Sequence, residues 1–206
     1  MTKFNPQEIK GNWDYGKVLD LHTTSSRMVG EDEFGNPQFE TEYSAAGKLL
    51  HAFKYRDNPD ALRDLLKIVG GYFAENLTVQ IDAVAPVPPS KPGRTVASRI
   101  AEGIAVRIGA AFSESALIKK CPTEQMKATD SHRRRDILAD AFSADPAILS
   151  GKSVLLVDDL YQTGATLEAA TAVLRAQGRA AKVHVFAVTR TRKRRVSVVG
   201  DGDIPF

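Results

Sequence analysis

Four consecutive apolar residues, Val154 to Val157, run directly into two carboxylates, Asp158 and Asp159, and a polar turn then opens a helical stretch. No other part of the chain constrains the fold as tightly as this segment, Val154-Leu-Leu-Val-Asp-Asp-Leu-Tyr-Gln-Thr-Gly-Ala-Thr166. The apolar run reads as a buried strand of a sheet covered on both faces. In such open sheets ligands sit beyond the carboxyl ends of the strands, where loops and helix N-termini converge. Asp158 and Asp159 fall at that end. The backbone N–H groups of Thr163, Gly164, Ala165 and Thr166 would be free in the first helical turn, where the helix dipole is positive and a phosphate is readily held. Gly164 lets the backbone approach closely. The Thr163 and Thr166 hydroxyls add donors or cap the helix.

An anion-binding turn beside two carboxylates calls for a ligand with both phosphate and hydroxyl groups, and a sugar phosphate has both. Two other readings compete. One is a strand ending in acids before an ordinary capped helix. The other is a P-loop nucleotide hydrolase, whose magnesium-binding strand has the same apolar-then-Asp form. That reading needs a phosphate loop, and the nearest candidate, Pro146-Ala-Ile-Leu-Ser-Gly-Lys-Ser153, has proline in place of the first glycine and precedes a strand instead of following one.

The flanking pattern is that of an α/β protein. Residues 1–42 read as a small β-rich lobe, with turn chemistry at Phe34-Gly-Asn-Pro-Gln-Phe39, and residues 43–206 as the main domain. Leu62, Leu65, Leu66, Val69 and Phe73 recur at helical spacing, with Asp60 placed to cap the start. Val79 to Val87 reads as a strand, followed by the loop Pro88-Pro-Ser-Lys-Pro-Gly93 and a helix carrying Val96, Ile100, Ile104 and Ile108. A short strand near Ala116 to Ile118 precedes a polar, basic stretch from Lys119 to about Asp140, too long for a tight connection. The signature strand, a helix from about Thr166 to Gln177 ending at Gly178, and a strand from Val183 to Val188 close the chain's regular part. Alternating strands and helices imply a mostly parallel sheet.

At 206 residues the chain holds one sizeable core or one core with an appended lobe. No stretch approaches the roughly 18 unbroken apolar residues of a membrane span. The N-terminus lacks the pattern of an export signal. A single cysteine, Cys121, excludes an internal disulfide and fits the cytoplasm. Net charge is only +3, yet Arg133 to Arg135 and the run Arg190-Thr-Arg-Lys-Arg-Arg195 concentrate the positive residues. None of His22, His51, His132 and His184 is assigned as a metal ligand.

The segment from Val154 to Thr166 resembles the phosphoribosyl-pyrophosphate signature of type I phosphoribosyltransferases, with strand, acidic pair and Thr-Gly-x-Thr turn in the same order. Gln162 departs from it, standing where that family commonly has Thr or Ser. The resemblance implies the type I fold and assigns Asp158 and Asp159 to the ribose hydroxyls and Gln162, Thr163, Gly164, Ala165 and Thr166 to the 5′-phosphate. The donor also carries a pyrophosphate. Pro88, Pro89, Ser90, Lys91 and Arg94 are the candidates to bind it, with Mg²⁺ offsetting the remaining charge. The stretch Cys121 to Asp136, with Gln125, Arg133, Arg134 and Arg135, would be a cationic lid closing over an oxocarbenium-like state.

From Tyr43 onward the chain is similar to the competence-protein ComF branch, on Leu49-Leu-His-Ala-Phe-Lys-Tyr55, Ala85 to Pro88, Gln125, Arg133 to Arg135 and Ala141-Phe142. That branch's Cys-x-x-Cys zinc ribbon is absent, and its Arg-Gly-Phe-Asn-Gln motif stands only as Arg94-Thr-Val-Ala-Ser98. Residues such as Trp13, Asp14, Tyr15, His22 and Arg27 occupy the lobe instead, which would form a hood over the acceptor or pack on the core. The expected activity is transfer of the phosphoribosyl group to a nitrogen acceptor, a nucleobase, with release of pyrophosphate. The alternative is a non-catalytic module that senses phosphoribosyl pyrophosphate or a nucleotide, linked to DNA uptake. Nucleic acid is the less favoured partner, through the Arg190 to Arg195 run, and a homodimer is left open.

Overall fold

The computed structural model describes residues 4–56, 58–89, 95–120 and 141–192. Its centre is a six-stranded sheet in the order β1 (Gln7–Glu8), β2 (Tyr15–Leu21), β10 (Lys182–Arg190), β9 (Ser153–Tyr161), β5 (Ala83–Pro86), β6 (Ala111–Phe112). Every neighbouring pair is parallel except β1 with β2. This is the type I phosphoribosyltransferase architecture expected from the sequence, a mostly parallel sheet flanked by helices with short antiparallel strands at the N-terminus.

The apolar run that marks β9 is buried on both faces because side chains alternate along a strand. Val154 and Leu156 enter one core cluster, with Leu167, Val173 and Leu174 of helix α5 (Ala165–Ala176). Leu155 and Val157 enter the other, with residues of α1 (Ala45–Arg56), α2 (Pro59–Asn76) and α3 (Val96–Ile108). Two smaller sheets complete the fold. The hairpin of β3 (Thr23–Glu31) and β4 (Pro37–Tyr43) is one, and β7 (Leu117–Lys119) paired with β8 (Phe142–Ala144) is the other.

The N-terminal residues are shared between two sheets. β1 and β2 belong to the central one, β2 pairing with β10 from Tyr15↔His184 to Leu21↔Arg190, while the hairpin β3–β4 forms a sheet of its own. A boundary at residue 42 therefore leaves β1 and β2 on the lobe's side of the division although both hydrogen-bond within the main sheet. The hairpin's turn is held by the Asp32 carboxylate, which accepts from the Phe34 and Asn36 backbone N–H groups at 2.9 and 2.8 Å.

Several local expectations shift. The cap of α2 is Asn58, whose side chain accepts from the N–H groups of Asp60 and Ala61; Asp60 lies in the first turn and pairs with Arg63 at 3.0 Å. Pro59 takes the first helical position, where its missing N–H costs nothing. The strand expected from Val79 shortens to Ala83–Pro86, and Val79 is exposed. After α5 the left-handed residue is Arg179, at φ 54°, and not Gly178. The phosphate-loop candidate Pro146 to Ser153 becomes the short helix α4 (Pro146–Leu149), capped by Asp145, and a turn at Gly151 leading into the start of β9. It thus lies at the opposite end of the strand from the acidic pair.

Candidate functional site

The connections out of β5 and β9 diverge. β5 leads through α3 to β6 on its outer side, and β9 leads through α5 to β10 on the other, with α3 and α5 on opposite faces of the sheet. Adjacent parallel strands with diverging crossovers create a crevice at their carboxyl ends, the place where open α/β sheets hold ligands. Pro86 is paired with Val157, and the Val87 N–H donates to the Val157 carbonyl at 2.8 Å. Pro88 and Pro89 are thereby carried up beside Asp158 and Asp159. Ser90, Lys91 and Arg94 lie outside the described residues, as do Gln125, Arg133, Arg134 and Arg135.

β9 continues past the acidic pair to Tyr161, paired with Arg190. Strand periodicity therefore sends the two carboxylates to opposite faces. Asp158, together with Leu160 to Leu167, lines a small cavity of about 100 Å³ at the start of α5. Asp159 faces α1, where Lys54 Nζ donates to its Oδ2 at 2.9 Å. The Asp159 N–H turns back to Asp158 Oδ1 at 2.8 Å.

The turn itself follows the residue types. Gly164 has φ 88°, a left-handed conformation that disfavours a side chain, and a Cβ there would stand 3.0 Å from the Tyr161 hydroxyl. It is the N-cap of α5, with no side chain capping the helix. The first bond of the helix runs from the Glu168 N–H to the Gly164 carbonyl, so the N–H groups of Ala165, Thr166 and Leu167 have no carbonyl partner within the helix. Thr163 Oγ1 makes one long contact, 3.4 Å, with the Ala165 N–H. Gln162, Thr163, Gly164, Ala165 and Thr166, the five residues expected to hold a phosphate, all line the one cavity with Asp158.

The electrostatics divide the acidic pair. Burial pushes the Asp158 carboxyl up to about 7, the charge of Asp159 adds to the rise, and Lys54 opposes it. Burial lowers the Lys54 ammonium, but its hydrogen bond to Asp159 and the charges of Asp159 and Asp158 outweigh that and hold its pKa above the ordinary value. One face of β9 thus carries a carboxyl whose pKa is raised and the other a compensated ion pair.

Three residues near the pair were not singled out as site residues by sequence. Lys54 and Asp159 are 105 positions apart, and only the packing of α1 beside the sheet joins them. Thr189, at the carboxyl end of β10, donates to the Asp159 carbonyl at 3.2 Å, and His22 Nδ1 lies 3.1 Å from the Thr189 hydroxyl. Burial lowers the pKa of His22, with Asp159 pulling upward. From His22 a series of rings runs outward: Tyr43 at 5.6 Å, His51 at 4.7 Å from Tyr43, and Tyr55 at 4.9 Å from His51. Of the basic run, Arg190 lies over the Tyr161 ring and donates to Gln7, and Arg192 donates to the Thr24 carbonyl. Lys193 to Arg195 are outside the described residues.

A mostly parallel sheet whose switch point holds an acidic pair and a glycine turn opening a helix is an α/β arrangement with a ligand crevice at the carboxyl ends of its strands. The family model described as "Phosphoribosyl transferase domain" matches residues 54–200. The chain belongs to this family, a family of pentosyltransferase enzymes. No curated protein sequence matches it. Among solved structures it is similar to adenine phosphoribosyltransferase from Saccharomyces cerevisiae, at 17% identity and a TM-score of 0.45, covering 80% of this chain and 83% of that one. It is also similar to the glutamine phosphoribosylpyrophosphate amidotransferase from B. subtilis, at 22% identity and a TM-score of 0.48, covering 76% of this chain and 34% of that one. The family assignment rests on the family match, not on these two likenesses.

Proposed function

We propose that the protein binds phosphoribosyl pyrophosphate as its Mg²⁺ complex and transfers the phosphoribosyl group to a ring nitrogen of a nucleobase, releasing pyrophosphate. The observation that carries this reading is the cavity shared by Asp158 and the Gln162 to Thr166 turn, where a carboxyl group and the first N–H groups of α5, which have no carbonyl partner within the helix, line one space. A 5′-phosphate fits the N–H groups and a ribose hydroxyl fits the carboxylate. Bond breaking at the anomeric carbon builds positive charge on the ribose ring, which nearby carboxylates stabilise through space. Asp158 and Asp159 are assigned that role.

The pyrophosphate would lie against Pro88, Pro89, Ser90, Lys91 and Arg94, and the stretch containing Gln125 and Arg133 to Arg135 would close over it. Among the described residues no group of three His, Cys, Asp or Glu side chains could hold a metal. The Mg²⁺ is proposed to arrive on the substrate's phosphates, keeping its waters and taking few protein ligands. The hairpin β3–β4 is proposed as the hood over the acceptor. It leaves β2 next to His22, at the same sheet end as Asp159, and the Tyr43, His51 and Tyr55 rings lie at its base. We place the chain in the ComF-like branch, a reading supported by Lys54 of the Lys54-Tyr55 match, which meets Asp159 directly. The protein is read as cytoplasmic, a reading supported by its single cysteine.

The test is pyrophosphate release measured with phosphoribosyl pyrophosphate and Mg²⁺ across a panel of purine and pyrimidine bases. Turnover with one base establishes the transfer. If the donor raises the melting temperature in a Mg²⁺-dependent way but no base is used, the protein is a sensor of the donor. No thermal shift at millimolar donor would sink both readings.

A further inference from the structure

At the end of the sheet opposite the acidic pair, the structure holds a cavity of about 330 Å³ between the first residues of β2, β9 and β10 and the C-terminal end of α2. Its size falls within the range of small-molecule sites, roughly 300–1,000 Å³. Aromatic rings dominate its walls: Tyr15 on β2, Tyr72 and Phe73 on α2, and Phe186 on β10. Tyr72 and Phe186 stack at 5.9 Å with an interplanar angle of 30°, and Phe73 meets Phe186 edge-on at 4.9 Å. Such walls favour a flat, apolar ligand body.

Two polar features make this more than a packing gap. His184 also lines the cavity and is only 6% exposed, and both of its ring nitrogens are buried without a hydrogen-bond partner among the described residues. A buried imidazole with donor and acceptor both unmet is unfavourable, and an aliphatic residue on this face of β10 would pack without that cost. The second is Lys17, also in the lining, whose ammonium has no ion pair among the described residues and stands 5.5 Å from the Tyr15 ring. The neighbouring Asp14 is already committed, accepting from Arg175 at 2.7 Å and from the Val183 N–H at 2.8 Å. The unmatched charge at the cavity is therefore positive.

We infer that this cavity is a second binding site, for a planar aromatic carboxylate whose ring system lies against Tyr15 and Tyr72, whose polar edge pairs with His184 once that buried imidazole turns toward the cavity, and whose carboxylate meets Lys17. A sugar pyrophosphate, which is polyanionic and has no flat apolar body, does not suit it. Leu155 lines the cavity and Asp158 lies three residues further along the same strand, roughly 10 Å away. The site is thus separate from the donor site but shares β9 with it.

The experiment titrates the full chain with a naphthalene carboxylate and, in parallel, the uncharged naphthalene methanol, reading the imidazole nitrogen resonances by NMR and the affinity by calorimetry. The carboxylate should bind and shift the His184 resonances, and phosphoribosyl pyrophosphate should not displace it. Lys17→Ala should weaken the carboxylate roughly five-fold, toward the affinity of the methanol. His184→Phe should weaken it roughly ten-fold. Val79→Trp, at an exposed lining position, should block entry without touching the core, which keeps the test decisive if His184→Phe does not fold. Unmoved His184 resonances at millimolar carboxylate, or equal affinity in wild type, Lys17→Ala and Val79→Trp, would overturn the site.

Discussion

Lys54 Nζ, on the last turn of α1, lies 2.9 Å from Asp159 Oδ2 on β9, and this ion pair ties the carboxyl end of the central sheet to the helix layer on one face. It divides two adjacent carboxylates into different roles, since Asp158, one residue earlier, faces the turn before α5. Lys54 holds the Oδ2 oxygen of Asp159.

Lys54→Ala should therefore weaken binding of the donor about five- to ten-fold, by freeing the Asp159 side chain to rotate and by removing a charge-assisted hydrogen bond. The Lys54 side chain is 40% exposed, so the fold itself should lose about 1 kcal/mol or less. Lys54→Arg should restore most of the affinity. Calorimetric titration of the variants with Mg²⁺ and phosphoribosyl pyrophosphate checks this, and an unchanged affinity in Lys54→Ala would remove Lys54 from the site.

Asp158 makes stability depend on pH in a predictable direction. Below its unfolded value of 3.8 the group is protonated in both states. Between there and its folded value of about 7, the unfolded chain ionises while the fold keeps the proton, so the contribution of Asp158 to stability falls as pH rises and levels off above that window. The slope is at most roughly 1.4 kcal/mol per pH unit. Asp158→Asn should remove it: the variant and wild type should melt together near pH 4, and the variant should be the more stable at pH 8. Melting curves of both proteins across that range make the comparison, in which titrating groups remote from Asp158 cancel while Asp159 and Lys54, which interact with it, contribute to the difference.

Gly164→Ala should cost about 1–2 kcal/mol, because φ 88° forces a side chain into the left-handed region. The added Cβ also meets the Tyr161 hydroxyl at 3.0 Å. Combining it with Tyr161→Ala should relieve the contact and leave the backbone strain, so stability should recover only in part. Both variants should bind the donor more weakly, as measured by its thermal shift.

Asn58→Ala removes the side-chain acceptor that caps α2 and should lower stability by about 1 kcal/mol. Asn58 lies at the far end of α2 from the Tyr72 and Phe73 cavity wall and takes no part in the acidic-pair site. Denaturation should therefore register the change while donor binding stays as in wild type.

Much of the fold was legible in sequence because its signals are local. The run Val154 to Val157, the helical spacing from Leu62 to Phe73 and the turn chemistry of Phe34 to Phe39 each depend on neighbours a few residues away, although the turn itself falls at Asp32 to Asn36 and β4 begins at Pro37. The misplacements were local competitions between adequate candidates. Asn58 and Asp60 can both cap a helix, and Pro59 between them decides for Asn58 by taking the first helical position. The turn that opens α5 was legible for the same reason, since Gln162 to Thr166 are contiguous, and these residues line one cavity.

What the sequence by itself determined is the chemistry available at one strand end: an acidic pair, a glycine that accepts a left-handed backbone, and a helix start with free N–H groups. Tertiary structure alone decided how that chemistry is distributed. The pleat of β9 turned Asp158 and Asp159 to opposite faces, and the packing of α1 brought Lys54 to one of them across 105 positions of chain. The pairing of β2 with β10 set His22 beside Thr189. Contacts of this kind depend on which elements become neighbours in the sheet, and no short-range pattern in the chain encodes that.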